Sequence, residues 1–181
     1  MYPISQRDWD NYTTTVLDHG LNIAVLVIAG RLFPGSFDVS DDAPDTYEGL
    51  VALFESGRRL VVYKGGSDNT IFGDPTVNYH FRAWHDWCHW QGRHDFSLAG
   101  EYAVYEMQCA HLVTVYGDDE TTHRWQRILF ADGIGQKLHH EQHGSFPQNQ
   151  MEFVRRFLGN RPAAAAIAAA EPQAPSAVPQ F

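Results

Sequence analysis

The sequence predicts a mainly α protein of the α+β class: a helical-bundle core, a small β-hairpin in the N-terminal half and an extended Ala/Pro-rich C-terminal tail. Three observations predict it. Apolar residues recur at three- and four-residue spacing along most of the chain, the period of a helix with one buried face. A short run rich in β-branched residues, Leu60-Val61-Val62-Tyr63, is followed by a Gly-rich turn. After residue 160 the composition shifts to alanine and proline, which do not build a packed core. The expected organisation is one globular domain over 1–160 and a tail over 161–181, either flexible or docked on a protein partner.

Taken in order, Ser5 caps a helix over 6–17 that aligns Trp9, Tyr12, Val16 and Leu17. His19-Gly20 interrupts it, and a second, buried helix covers 21–33. Its most apolar stretch, 21–29, is far shorter than the ~20 residues needed to cross a bilayer, so no membrane segment is expected. Residues 34–44 read as a loop with an acidic patch at Asp38, Asp41 and Asp42. Asp45 caps a short helix over 47–55 that stops at Gly57. Residues 59–63 form a strand, Gly65-Gly66-Ser67-Asp68-Asn69 turns, and Thr70-Ile71-Phe72 returns as the second strand of a hairpin. That turn lacks the Gly-Lys-Ser/Thr ending of a nucleotide loop, so it reads as a turn and not as a phosphate site. Three helices follow: 78–90, then 98–116 capped by Ser97, then 122–143 up to Gly144. A fourth covers 148–158, after Pro147 and before Gly159.

Charge and cysteine usage narrow the function. The 181 residues hold 22 Asp and Glu against 13 Lys and Arg, a net charge of −9. Phosphate backbones repel such a chain, which argues against general nucleic-acid binding and for a small-molecule substrate or a basic protein partner. Two cysteines, Cys88 and Cys109, make no disulfide framework, and the first ten residues lack the pattern of a signal peptide. A reducing, cytoplasmic setting is the expectation. A homo-oligomer is compatible with all of this.

The chemistry concentrates on the last three long helices. In His85-Asp86-Trp87-Cys88-His89 the two histidines are four apart, hence about 40° apart on a helix, and two imidazoles so placed can bind one metal ion. The pattern HDxxH imitates the zinc motif HExxH with Asp for Glu. Arg82 shares the arc. On the next helix Glu101, Gln108 and His111 fall on one side, and Glu106 falls on the far side. On the third, Asp132, Gln136, His139 and His143 lie within about 60°. Three stripes of polar side chains amid apolar neighbours either face water or converge, since a buried unpaired charge is costly. Convergence on a cation satisfies all three, with a mixed shell suited to Zn, Mn or Fe. In that reading His85, His89, Glu101 and Asp132 are ligands, and Asp86 is a general base or ligand orienter. Arg82 binds a substrate anion, and Gln108, His111, Gln136 and His139 line the pocket. His19 and His80 read as structural, and the cysteines as small core residues.

The segment 65–154 resembles a group of small uncharacterised proteins encoded by tailed bacteriophages. The residues that carry this are Gly66-Ser67-Asp68, Phe81-Arg82-Ala83-Trp84-His85-Asp86, His89, Gly100-Glu101, Gly135-Gln136 and Phe146-Pro147 with Gln150. The resemblance implies a bacterial host cytoplasm or a virion and transfers no activity. From the residues, the leading expectation is a metal-dependent hydrolase acting on a small phosphorylated or nucleotide-like substrate, similar to all-helical HD-type phosphohydrolases. A zincin-type peptidase and a ferritin-like di-iron protein are the enzymatic rivals. A virion or host-interaction protein, with structural histidines, is the non-catalytic one.

Overall fold

The computed structural model describes residues 16–159, so the helix expected over 6–17, apart from its last two residues, and the Ala/Pro tail lie outside the described residues. The described chain is mostly helical, as the sequence predicts, with one small two-stranded sheet. None of its helices is long and apolar enough to cross a membrane.

Helix α1 (His19–Leu32) begins where an interruption was expected, because Asp18 caps it: the carboxylate accepts the Leu21 N–H at 3.0 Å. Leu21, Ala24, Val25, Ile28 and Ala29 form its buried face. The segment over 34–44 is not all loop. It contains strand β1 (Asp38–Ser40); helix α2 (Tyr47–Glu55), capped by Thr46, and strand β2 (Val61–Tyr63) follow it.

Here the hairpin expectation fails. Strand β2 pairs with β1, in parallel, with Val62 opposite Val39. A helix between two strands brings the chain back in the same direction, which a short turn such as 65–69 cannot do. Strand β1 carries little sequence signal, because Asp38 and Ser40 are poor strand formers in a three-residue, mostly exposed strand. The supposed return strand is instead a buried turn: Thr70, Ile71 and Phe72 are all at most 2% exposed. Two of its carbonyls are satisfied from α1 and the bend before it, Leu17 N–H donating to Ile71 at 2.9 Å and Asn22 Nδ2 to Phe72 at 2.9 Å.

Helix α3 (Pro75–Gly92) starts three residues earlier than expected. Asp74 caps it and Pro75 fills the first turn, where its missing N–H costs nothing. It ends at Arg93, held in the left-handed conformation (φ 54°). Helix α4 (Leu98–Tyr116) has its expected bounds and its Ser97 cap. The expected helix over 122–143 is three pieces: α5 (Glu120–Phe130), a π-helical segment (Ala131–Gly135) and α6 (Gln136–His143). Helix α7 (Gln150–Gly159) closes against the π segment, with Phe153 and Phe157 about 3.2–3.3 Å from where a Cβ on Gly135 would fall.

The main core joins α1, α3, α4 and α5 around Trp84, Phe72, Leu112 and Leu129. A smaller cluster, Leu50, Leu53, Leu60, Val62 and Ala83, fixes the β1–α2–β2 unit on α3. Thus α3 is covered by α1 and by the βαβ unit, and its remaining face is turned to α4.

Candidate metal centre

Helices α3 and α4 are joined by the short loop over 93–97, which lays the first turn of α4 beside the last turns of α3. Gly100 makes this possible: a Cβ there would collide with the backbone carbonyl of Asp95. Ser97 and Asp95 are also hydrogen bonded to each other, side chain to side chain and Ser97 N–H to carboxylate. Glu101, one residue beyond that glycine, is thereby delivered to His85 and His89.

The three side chains converge on one point. His85 Nε2 and His89 Nε2 lie 3.0 Å apart, and Glu101 Oε2 is 3.2 Å from the first and 3.6 Å from the second. All three donor atoms lie within 4.8 Å of one another, so the group can hold a metal ion. His89 is oriented from behind. Its Nδ1 is 2.9 Å from the His94 carbonyl, which only accepts, so Nδ1 carries the proton and Nε2 offers its lone pair to the cluster. The Phe96 ring packs edge-on against His89, and Lys137 Nζ donates to the Phe96 carbonyl at 2.9 Å. The His94 carbonyl, Phe96 and Lys137 were not foreseen. A backbone acceptor leaves no trace in a sequence, and a lone lysine carries no motif.

The charges follow from burial and proximity. Burial works against ionising Glu101, but its contacts with His85 and His89 outweigh this and hold the carboxyl below its ordinary range. Burial opposes protonation of His85 too, yet the Glu101 carboxylate beside it raises its pKa. Burial lowers the pKa of His89, and the neighbouring His85 adds to this, against the opposing pull of Glu101. Of the two imidazoles His85 is thus the more readily protonated, beside a carboxylate that stays ionised. A metal ion and a proton on His85 would compete for the same place.

Asp86 and Asp132 lie close enough to feel this cluster. Burial raises Asp86 to about 6, with His85 and Arg82 pulling the other way. Burial raises Asp132 to about 7, opposed by its hydrogen bond from Gln136 Nε2 at 2.6 Å and by His85 and Arg82. Asp132, expected to be a ligand, is not one of the three converging donors. Arg82 is anchored elsewhere: its Nη1 donates to the carbonyls of Tyr63 (2.6 Å) and Gly65 (2.7 Å), pinning the end of β2 to α3. Its charge still offsets Asp86 and Asp132.

Of the expected pocket residues, His111 belongs to the core. It is 2% exposed, accepts the Trp84 indole N–H at 2.9 Å through Nδ1, and burial lowers its pKa to about 4. Gln108 is buried on the same side of α4, with its amide nitrogen unpaired among the described residues. Gln136 holds Asp132. His139 is turned away, its ring against His143 and Phe153. The cause is the π segment: an extra residue in one turn rotates everything after it by about 100° relative to an unbroken helix. Asp132 lies before that rotation is complete, His139 after it.

No protein-family model, curated protein or solved structure matches this chain.

Proposed function

We propose that this protein is a metal-dependent hydrolase in which His85, His89 and Glu101 hold one divalent transition metal. The observation that supports it most is the convergence of two imidazole nitrogens and one carboxylate oxygen, contributed by two helices, with His89 fixed by a backbone carbonyl. Three protein ligands suit a catalytic site, where a further position stays open, and not a closed structural site with four. The open side is toward solvent: the His85 and Glu101 side chains are 23% and 14% exposed, while that of His89 is fully buried. Two imidazoles with one carboxylate suit Zn, Fe or Mn.

A bound metal would supply Lewis acidity and lower the pKa of water to the neutral range. The chain's own residues supply the rest. Asp86 lies about 100° round α3 from His85, within its electrostatic reach, and a carboxyl with a pKa of about 6 suits a proton acceptor near neutrality. Asp132, buried, held by Gln136 and raised to about 7, suits a proton donor near the cluster. A small phosphorylated or nucleotide-like substrate fits the cationic Arg82, whose Nη1 is engaged by carbonyls and whose charge still reaches this face. The di-iron reading loses ground here, since such centres take a carboxylate from each of four helices and this group holds one carboxylate.

The test is elemental analysis of untagged, dialysed protein beside the His85→Ala/His89→Ala double variant. About one equivalent of transition metal in the native chain, lost in a double variant with unchanged circular dichroism, is the expected result. Hydrolysis of a panel of phosphate monoesters and nucleotides by the loaded chain should vanish in the same variant. Failure to retain metal after incubation with Zn, Mn and Fe under reducing conditions would overturn the reading and favour a non-catalytic interaction protein.

A further inference from the structure

A second pair of histidines repeats the spacing of the first. His139 and His143 are four apart on α6, and their ring centroids lie 4.3 Å apart, against 4.6 Å for His85 and His89. The first pair, with its ring planes 76° apart, brings two ring nitrogens to 3.0 Å; the planes of the second pair are 42° apart, and rotation about the ring-bearing bonds would bring its nitrogens to the same separation. A metal with bonds of about 2.0–2.1 Å to each of two imidazoles requires a nitrogen separation of that order. Neither His139 nor His143 has a hydrogen-bonding partner among the described residues; their contacts are with each other and, for His139, with Phe153. Among the described residues, then, no hydrogen bond commits their ring nitrogens. His143 is exposed and is the last residue of α6, which ends at Gly144 in the left-handed conformation. The carbonyl end of a helix carries partial negative charge, which favours a cation there.

We propose that His139 and His143 form a second metal site, bidentate and open to solvent, for divalent ions that prefer imidazole, with Cu²⁺ the strongest by the general order of divalent affinities. The two sites differ in kind. The first adds a carboxylate and a backbone-oriented imidazole; the second has two imidazoles, and water completes its shell. The second is accordingly the weaker, filled in titration and emptied by dialysis. A metal spanning residues 139 and 143 also ties the last turn of α6, so occupancy raises the melting temperature.

The experiment is a Cu²⁺ titration of the full chain, followed by calorimetry and by electron paramagnetic resonance, in the His85→Ala/His89→Ala background. That background removes the first site, so failure of one reading is distinguishable from failure of the other. One saturable equivalent with a two-nitrogen signature is expected, and its loss on adding His143→Asn, a change at an exposed position. A parallel titration of His143→Asn in the otherwise native chain should remove only the weaker equivalent. No saturable equivalent in the double variant, or an equivalent unaffected by His143→Asn, overturns the proposal.

Discussion

Asp132 shows how a single buried side chain couples charge to stability. It is 8% exposed, and its bond from Gln136 does not compensate for lost water, so its pKa rises to about 7. In the unfolded chain its pKa is near 3.8. Between these values the folded state binds more protons than the unfolded one. Its contribution to stability is thus fully present below about 3.8 and is lost as pH rises through about 7. Asp132→Asn should stabilise the metal-free protein by roughly 1–3 kcal/mol at pH 8, and the gain should shrink to nothing near pH 4. Denaturant titrations of chelator-treated protein at the two pH values check this. A gain that is equal at both pH values would mean that Asp132 ionises normally in the fold.

At the scale of elements, the α3–loop–α4 corner makes the site, and Gly100 is its tightest point. Gly100→Ala places a methyl group against the Asp95 carbonyl, which is backbone and cannot turn aside. The loop must then shift, and with it the His94 carbonyl that orients His89. A loss of roughly 1–3 kcal/mol in stability is expected. Metal affinity should fall as well, whereas a purely structural glycine would affect stability alone. Thermal melts with and without metal separate the two. The converging donors were legible in this corner because HDxxH and Glu101 each fall on a regular helix, where spacing determines facing. Asp132 and His139 were grouped by the same rule across residues 131–135, where a π turn breaks it. Nothing in Ala131-Asp132-Gly133-Ile134-Gly135 announces the π turn beyond two glycines. It persists because α4, α5, α6 and α7 all pack on it.

At the scale of the whole molecule, Asp18 joins parts of the chain 106 and 107 residues apart. One carboxylate caps α1, accepts the Trp125 indole N–H at 3.1 Å and pairs with Arg124 at 2.9 Å, both on α5. Removing it leaves a helix end uncapped and a partly buried indole N–H unpaired. Asp18→Ala should cost roughly 2–3 kcal/mol, more than a cap alone. Arg124→Ala, which removes only the half-exposed ion pair, should cost well under 1 kcal/mol. Comparable losses in the two variants would show that Asp18 acts mainly through the ion pair.

What the amino-acid sequence determined by itself was local. Helical periodicity marked the bundle, caps and glycines marked most helix ends, and a four-residue spacing marked His85 and His89 as a pair. These depend on neighbours within one turn, which the sequence states outright. Tertiary structure alone decided that β2 pairs with β1 and not with residues 70–72, because strand pairing is chosen by the α2 crossover and by burial of Ile71 and Phe72. It alone decided that His111 is a core partner of Trp84 and that Arg82 is tied to β2. It alone decided that Glu101, and not Asp132, joins the two histidines. A helix wheel gives the direction of a side chain from its own axis, and only packing gives what stands in that direction.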